Sequence, residues 1–168
     1  MTRHLRVMLA AIVVLAGAAC SSGGAEDEPA FTAFDCAGSI DALEAPPEAW
    51  SVVLDVIAFP ADSPLQRGRF DDDLERQFSK FGLVIRSDAS LTLRIADESS
   101  PNAIMGWGAG SSEPVAAIEI GGCSAAMEQE WVVYAGGIWT IDPGCIEVEV
   151  STTDEQATVA LPIGVACN

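Results

Sequence analysis

Short runs of alternating apolar and polar residues, separated by turn-forming residues, constrain the fold of this chain more than any other feature. The clearest run is CIEVEVS at 145–151, where an isoleucine and two valines alternate with Glu147 and Glu149. A period of two places the apolar side chains on one face of a strand and the acids on the other. A second run at 156–163 follows a short turn, so the two predict a hairpin.

Further short runs continue this pattern through the chain, at 83–87, 90–96, 103–107, 115–120, 131–135 and 138–141. Turn signals recur at a spacing of about 8–12 residues, which is typical of a β-sandwich. The Gly136-Gly137 pair predicts a tight hairpin turn. The segment 50–59 is apolar on both alternating faces and predicts a central strand. The sequence therefore predicts an all-β antiparallel sandwich.

One helix is expected, at about 71–81. Three aspartates stand at its start, Leu74, Phe78 and Phe81 recur at helical spacing, and Gly82 follows the last of them. Carboxylates at a helix N-terminus and glycine after its C-terminus are the usual boundary signals. We expect this short helix to cover one end or edge of a sheet.

The N-terminus has the pattern of an export signal. A short basic stretch precedes the apolar run VMLAAIVVLAG at 7–17, and Ala18 and Ala19 stand directly before Cys20. A positively charged n-region, a hydrophobic region and small residues at the cleavage site are typical of a secretory signal peptide, here 1–19. The core is shorter than the roughly 20 apolar residues that span a bilayer.

The residues before Cys20 resemble the lipobox of bacterial lipoproteins, in which the cysteine is diacylated and becomes the new N-terminus. Gly17 departs from that pattern, since leucine is usual there. The resemblance implies a lipid (palmitate-type) anchor on Cys20 and a location on the extracytoplasmic face of the cell membrane. The alternative is an ordinary cleaved signal that happens to contain a cysteine. Residues 20–30 are small, polar and acidic and predict a flexible tether, which leaves 31–168 as a single domain.

The charge balance excludes one class of partner. The sequence has 8 basic and 25 acidic residues, and loss of Arg3 and Arg6 with the signal leaves six bases against 25 acids, a net charge of −19. Such a surface repels nucleic acid, so no nucleic-acid partner is expected.

The single histidine, His4, lies in the predicted signal peptide. The mature chain therefore lacks the histidine of Ser-His-Asp triads, of His-ligated zinc and of blue-copper sites, and no cofactor is expected.

Cysteine usage predicts disulfides. Cys36, Cys123, Cys145 and Cys167 remain after Cys20, and their spacing contains no CxxC motif. An even count outside the cytoplasm indicates disulfide bonds, with three possible connectivities. We favour Cys123 with Cys145 and Cys36 with Cys167. Pairing of Cys145 with Cys167 is less favoured, because in the predicted hairpin Cys145 faces about residue 162, well before Cys167.

Motifs in the last third of the chain and in two earlier stretches carry a family resemblance, which extends over roughly two thirds of the mature chain. It rests on Cys123, Trp131, YAGGIW at 134–139, PGC at 143–145 and GVAC at 164–167, together with residues 78–95 and the Gly-Trp-Gly at 106–108. These motifs resemble a group of uncharacterised exported actinobacterial proteins with a C-terminal immunoglobulin-like domain. The resemblance implies an immunoglobulin-like sandwich. Its motifs are turn glycines, strand-start cysteines and a core tryptophan, so it implies no catalytic residues.

Acidic residues suggest two kinds of site. Asp71, Asp72 and Asp73 with Glu75 offer the oxygen ligands that Ca²⁺ prefers, but the spacing matches no EF-hand, and helix-terminal acids are the simpler interpretation. The pairs Glu147 with Glu149 and Glu128 with Glu130 have the residue type of a glycosidase, yet more simply form solvated strand faces. Four bases interleave with the aspartates: Arg67, Arg69, Arg76 and Lys80. They are candidates to bind an acidic ligand, but a local ion-pair network is the simpler interpretation.

Aromatic residues suggest a binding surface. Trp50, Trp107, Trp131, Trp139 and Tyr134 are available either for the core or for a face that stacks on sugars, and core packing is favoured. Trp107, between two glycines, is expected to be the most exposed, and Trp107 and Trp139 are the candidate ligand surface.

Three functional hypotheses follow. The first is a non-enzymatic binding or interaction module for an extracytoplasmic protein or glycan. The second is a carboxylate-type hydrolase of cell-envelope glycans, and the third is a calcium-stabilised structural spacer.

Overall fold

The computed structural model describes residues 31–34, 36–108, 113–123 and 129–167. The predicted signal peptide 1–19, Cys20 and the tether 20–30 lie outside these residues. In the described part of the chain there is one 3₁₀ turn, Cys36–Gly38, and no helix long and apolar enough to cross a membrane. The strands, numbered in chain order, are β1 (Phe31–Phe34), β2 (Ser39–Leu43), β3 (Ser51–Val53), β4 (Ile57–Phe59), β5 (Phe70–Asp71), β6 (Arg76–Lys80), β7 (Leu83–Arg86), β8 (Leu91–Ile95), β9 (Ala103–Trp107), β10 (Ala117–Ile120), β11 (Trp131–Tyr134), β12 (Gly136–Thr140), β13 (Gly144–Ser151) and β14 (Gln156–Ile163).

These strands form three sheets. Sheet A has the order β1-β10-β8-β13-β14, sheet B the order β2-β11-β7-β4-β3, and sheet C the order β5-β6-β12-β9. Pairing within the sheets is antiparallel except between β1 and β10, which run parallel. The predicted all-β sandwich is confirmed.

Sheets B and C continue into one another. Only Phe81 and Gly82 separate β6 from β7, and only Ala135 separates β11 from β12. The core cluster unites buried side chains of all three sheets, among them Leu93 and Val148 of sheet A, Ile85 of sheet B and Ile138 of sheet C. Burial of this continuous apolar surface is the main stabilising contribution to the fold.

The predicted hairpin is confirmed. Strands β13 and β14 pair along their whole length, from Gly144 opposite Ile163 to Ser151 opposite Gln156. The isoleucine and two valines of β13 are 0–2% exposed, whereas Glu147 and Glu149 face outward. The alternating pattern therefore predicted both the strand and its buried face.

The predicted helix at 71–81 is wrong, since this segment forms the β5–β6 hairpin. The carboxylate Oδ1 of Asp71 accepts hydrogen bonds from the backbone N–H groups of Asp73 (3.1 Å) and Leu74 (3.2 Å). Glu75 then takes a left-handed conformation with φ of 52°. An aspartate that caps a helix can cap a tight turn by the same backbone contacts, so its sequence signal fits both structures.

Two smaller predictions are corrected as well. The segment 50–59 contains an edge hairpin of β3 and β4, because Leu54 and Asp55 both adopt left-handed φ values (52° and 56°) and reverse the chain. The Gly136-Gly137 pair is not a hairpin turn. It opens β12, which runs directly between β6 and β9.

The favoured disulfide pairing, Cys123 with Cys145 and Cys36 with Cys167, is also wrong. The disulfides are Cys36–Cys123 and Cys145–Cys167, with Cα–Cα distances of 5.4 and 5.5 Å. Cys145 does face Pro162, as the hairpin predicts. Gly164, with φ of +74°, then turns the chain back so that Cys167 reaches Cys145.

Candidate functional site

The solvent-facing side of sheet C carries an aromatic pair. Phe78 of β6 lies directly opposite Trp139 of β12, and their rings stack with centroids 4.3 Å apart and planes inclined by 30°. Their neighbours along the strands, Ser79 and Thr140, are 0% exposed and face the core. Because side chains alternate along a strand, Phe78 and Trp139 face outward, where both remain half-buried.

Two glycines form the floor beneath these rings. A Cβ atom at Gly137 would lie 2.7 Å from Cε2 of Phe78, and one at Gly106 would lie 3.5 Å from Cζ3 of Trp139. Gly137 and Gly106 are opposite one another on β12 and β9. The absence of side chains there lets both rings settle against the sheet rather than stand away from it.

The β5–β6 hairpin forms one side of a cleft next to the aromatic pair. An open cleft of about 430 Å³ results, lined by Arg69, Phe70, Asp71, Asp72, Asp73, Phe78 and Trp139. Phe70 is 48% exposed, an unusual position for a phenylalanine. The cleft volume falls within the range of small-molecule sites, about 300–1,000 Å³.

The charged groups at this cleft are not paired with one another. Of the described residues, only Arg86 and Arg94 form ion pairs, with Asp88, Glu130, Asp97 and Glu149. The predicted ion-pair network of Arg67, Arg69, Arg76 and Lys80 with the aspartates is therefore wrong. The guanidinium groups of Arg67 and Arg76 instead donate to backbone carbonyl oxygens.

Among the described residues, the charged ends of Arg69, Asp72 and Asp73 have no protein partner. No hydrogen bond or ion pair joins those side chains to any described residue. Asp71 differs, because its Oδ1 already binds two backbone N–H groups of the turn. The cleft thus combines flat apolar rings with one free donor group and two free acceptor groups.

The structure separates the two tryptophans that were expected to share a surface. Trp107 is 3% exposed and lies on the inner face of β9, with its ring edge-on to Phe81 at 5.3 Å. The expectation that Trp107 is exposed is therefore wrong. The flanking Gly106 and Gly108 do not expose it; Gly106 instead makes room for Trp139.

The other aromatic candidates do not line the cleft. Trp131 and Tyr134 are 6% and 1% exposed, and Trp50 packs, half-buried, against the small cluster around Trp131 on the outer side of sheet B. Trp139 is thus the tryptophan that lines the cleft.

The candidate hydrolytic acids have other contacts. Glu149 forms an ion pair with Arg94, at 2.7 Å from Nη2, and Arg94 also contacts Asp97. A side-chain hydrogen bond with Glu98 raises the pKa of Glu147, and the nearby Glu98 charge adds to that effect. Neither glutamate lines the aromatic cleft. Glu130 is bound to Arg86, and Glu128 lies outside the described residues.

Calcium ligation finds no support at the aspartates. Within the described ranges, no three His, Cys, Asp or Glu side chains come together in a way that could hold a metal ion. Asp71 ends β5, Asp72 and Asp73 lie in the turn to β6, and one oxygen of Asp71 accepts hydrogen bonds from the backbone of that turn.

Sequence reasoning missed Phe70 and Phe78 as residues of this site, and it named Arg69 only as one member of a basic cluster. The helix prediction assigned Phe78 to a buried stripe, whereas the pairing of β6 with β12 places it beside Trp139. One available signal was the Gly-Gly-Ile-Trp run, since consecutive glycines in a strand often mark a close approach of other groups.

No protein-family model, curated protein or solved structure matches this chain. The function is therefore argued from the geometry of the cleft and from the N-terminal pattern.

Proposed function

We propose that the chain is an extracytoplasmic lipoprotein, anchored to the membrane through Cys20, whose β-sandwich is a binding module. The tether at 20–30 links the anchor to the domain, and the aromatic cleft of sheet C receives the ligand. Two acyl chains give stable anchoring where a single chain is marginal. The resemblance to uncharacterised actinobacterial exported proteins is consistent with this location and stays a prediction.

The observation that carries the binding role is the outward-facing Phe78–Trp139 pair on its glycine floor. Aromatic rings contribute most to stability when buried in a core, yet this pair lies on the solvent side of sheet C. Arg69, Asp72 and Asp73, which pair with no described residue, lie beside it. A concave apolar surface with a few polar groups is the usual form of a ligand site.

Membrane fractionation and intact mass, for wild type and Cys20→Ala, test the anchor. We expect the wild-type chain to lack residues 1–19, to carry a diacylglyceryl group and to sediment with membranes. Cys20→Ala should lose the lipid and leave the membrane. A soluble and unmodified wild-type chain would contradict the anchor.

Cosedimentation of soluble Cys20→Ala protein with isolated bacterial cell envelopes tests the cleft. We expect sedimentation to fall when Trp139→Ala or Phe70→Ala is added. Ile40→Ala is the matched control, because Ile40 is a large apolar residue, 63% exposed, on a different sheet. Equal loss for Ile40→Ala, or no sedimentation of the parent protein, would contradict a binding role for the cleft.

The two alternative functions lack an equivalent observation. A hydrolase of this type needs two carboxyl groups on either side of a bound glycan, and Glu147 and Glu149 instead engage Glu98 and Arg94. The calcium-stabilised spacer needs converging oxygen ligands, which the described aspartates do not provide.

A further inference from the structure

We infer that the aromatic cleft binds a neutral saccharide, with a sugar ring stacked on Trp139 or Phe70 and its hydroxyl groups bound by Arg69, Asp72 and Asp73. This inference rests on the proposed binding role and names the chemical class of the ligand.

The first step is the shape of the apolar surface. Phe70 is 48% exposed, and Trp139 and Phe78 form a shared stack beside it. The flat faces of such rings bind either the C–H face of a sugar ring or a cation. Larger apolar ligands are disfavoured because the remaining wall of the cleft consists of charged side chains.

The second step is the balance of hydrogen-bonding groups. A guanidinium group only donates hydrogen bonds, and a carboxylate only accepts them. Arg69 supplies the donor, and Asp72 and Asp73 supply the acceptors, with none of the three committed to a described partner. A sugar hydroxyl both donates and accepts, so neighbouring hydroxyl groups of one ring can satisfy both kinds of group.

The third step is charge. An anionic ligand would meet two free aspartates and a chain with a formal net charge of −17. A cationic ligand would be attracted by the aspartates and the rings but would place its charge near Arg69. A neutral polyhydroxyl ligand avoids both conflicts, and a cation is the main competing ligand.

Isothermal titration of full-length mature Cys20→Ala protein with defined probes tests this inference. The neutral probes are cellotetraose, mannotetraose and the N-acetylglucosamine tetramer. The anionic probe is trigalacturonic acid, and the cationic probe is tetramethylammonium chloride. We expect at least one neutral probe to bind, with an affinity that changes less than about twofold when salt is raised, because no net charge is neutralised.

Four variants then locate the bound sugar. Phe70→Ala and Trp139→Ala should each weaken binding about tenfold, the effect of losing one aromatic contact. Arg69→Gln and Asp72→Asn should weaken sugar binding as well. Because these exposed residues have no described side-chain partner, their substitution should not disturb the fold. Ile40→Ala should bind like the parent protein. Unfolding temperatures of all variants check that the sandwich is intact.

Several outcomes would overturn the inference. One is that none of the neutral probes binds. Another is that tetramethylammonium alone binds. A third is that a neutral probe still binds equally well to both Phe70→Ala and Trp139→Ala. Envelope cosedimentation that depends on Trp139, with no neutral sugar bound, would reject the ligand class and keep the proposed binding role. Failure of the parent protein to cosediment with envelopes would reject the binding role itself.

Discussion

The indole N–H of Trp107 donates a hydrogen bond to the carbonyl oxygen of Phe81, 3.1 Å away, inside the core. Trp107→Phe removes the donor, leaves a buried carbonyl without this partner and opens a small cavity. We expect a loss of about 2–4 kcal/mol in the free energy of unfolding. Trp139→Phe, on the solvent face of the same sheet, should cost less than half as much. Urea denaturation of both variants measures the difference, and equal losses would contradict the assigned positions.

The disulfide pairing can be tested directly by peptide mapping of the unreduced protein, which should recover Cys36 linked to Cys123 and Cys145 linked to Cys167. Paired alanine variants then measure each bond without leaving a free thiol. The bonds span sequence separations of 87 and 22 residues. Loop-closure entropy predicts losses of about 4.5 and about 3.4 kcal/mol, so the Cys36–Cys123 double variant should be the less stable. A peptide that links Cys36 to Cys167 would contradict the structure.

The adjacent glycines that open β12 should tolerate no side chain. A Cβ atom at Gly136 would clash with the carbonyl oxygen of Gly106, and one at Gly137 would clash with that of Ser79. We expect Gly136→Ala and Gly137→Ala each to lower the free energy of unfolding by about 2–3 kcal/mol, the cost of overpacking. Gly121→Ala is the control, since nothing lies within 4 Å of its added Cβ. Thermal unfolding of the three variants measures the effect, and a neutral Gly136→Ala would be inconsistent with the β9–β12 pairing.

Sequence patterns predicted the parts of this fold in which local alternation decides the structure. The β13–β14 hairpin has eight paired positions, and the buried and exposed sides of β13 could be assigned residue by residue. The disulfides could not be predicted, because their pairing depends on the reversal at Gly164 after β14 ends. Its left-handed φ is available to glycine but is not dictated by it.

The aromatic cleft was only half predictable for a related reason. Trp139 was identifiable as a candidate from its residue type. Its partner Phe78 became visible only with the register of β6 against β12, which no local pattern specifies. The same aspartates that suggested a helix form the hairpin turn that builds the cleft wall.

The pKa values of Glu98 and Glu147 should move in opposite directions on folding. Hydrogen bonding to Glu98, together with its negative charge, raises the pKa of Glu147. The backbone N–H of Glu98, and then its hydrogen bond with Glu147, lower the pKa of Glu98. Titration of the two carboxyl carbons by NMR should place Glu98 below and Glu147 above the ordinary glutamate range. A shared, ordinary pKa for both would contradict the paired geometry.

The two shifts have opposite consequences for stability. The raised pKa of Glu147 adds to the free energy of unfolding. This gain is fully present below the pKa of Glu147 in the unfolded chain and is lost as the pH rises through its raised pKa in the folded chain. The lowered pKa of Glu98 also adds to the free energy of unfolding. This gain is present above the pKa of Glu98 in the unfolded chain and is lost as the pH falls through its lowered pKa in the folded chain. The two carboxyl groups therefore stabilise the fold most between their two pKa values in the folded chain, where Glu147 is protonated and Glu98 is ionised. We call this pH range the acidic window.

Glu147→Gln tests this linkage, because the amide keeps a hydrogen-bond donor to Glu98 at every pH. We expect the unfolding temperature of Glu147→Gln to match wild type within the acidic window and to exceed it at neutral pH. Glu48→Gln, at an exposed position away from the pair, controls for the removal of one negative charge from a very acidic chain. If both variants raise the neutral-pH unfolding temperature equally, general charge repulsion explains the effect and the Glu98–Glu147 contact contributes nothing.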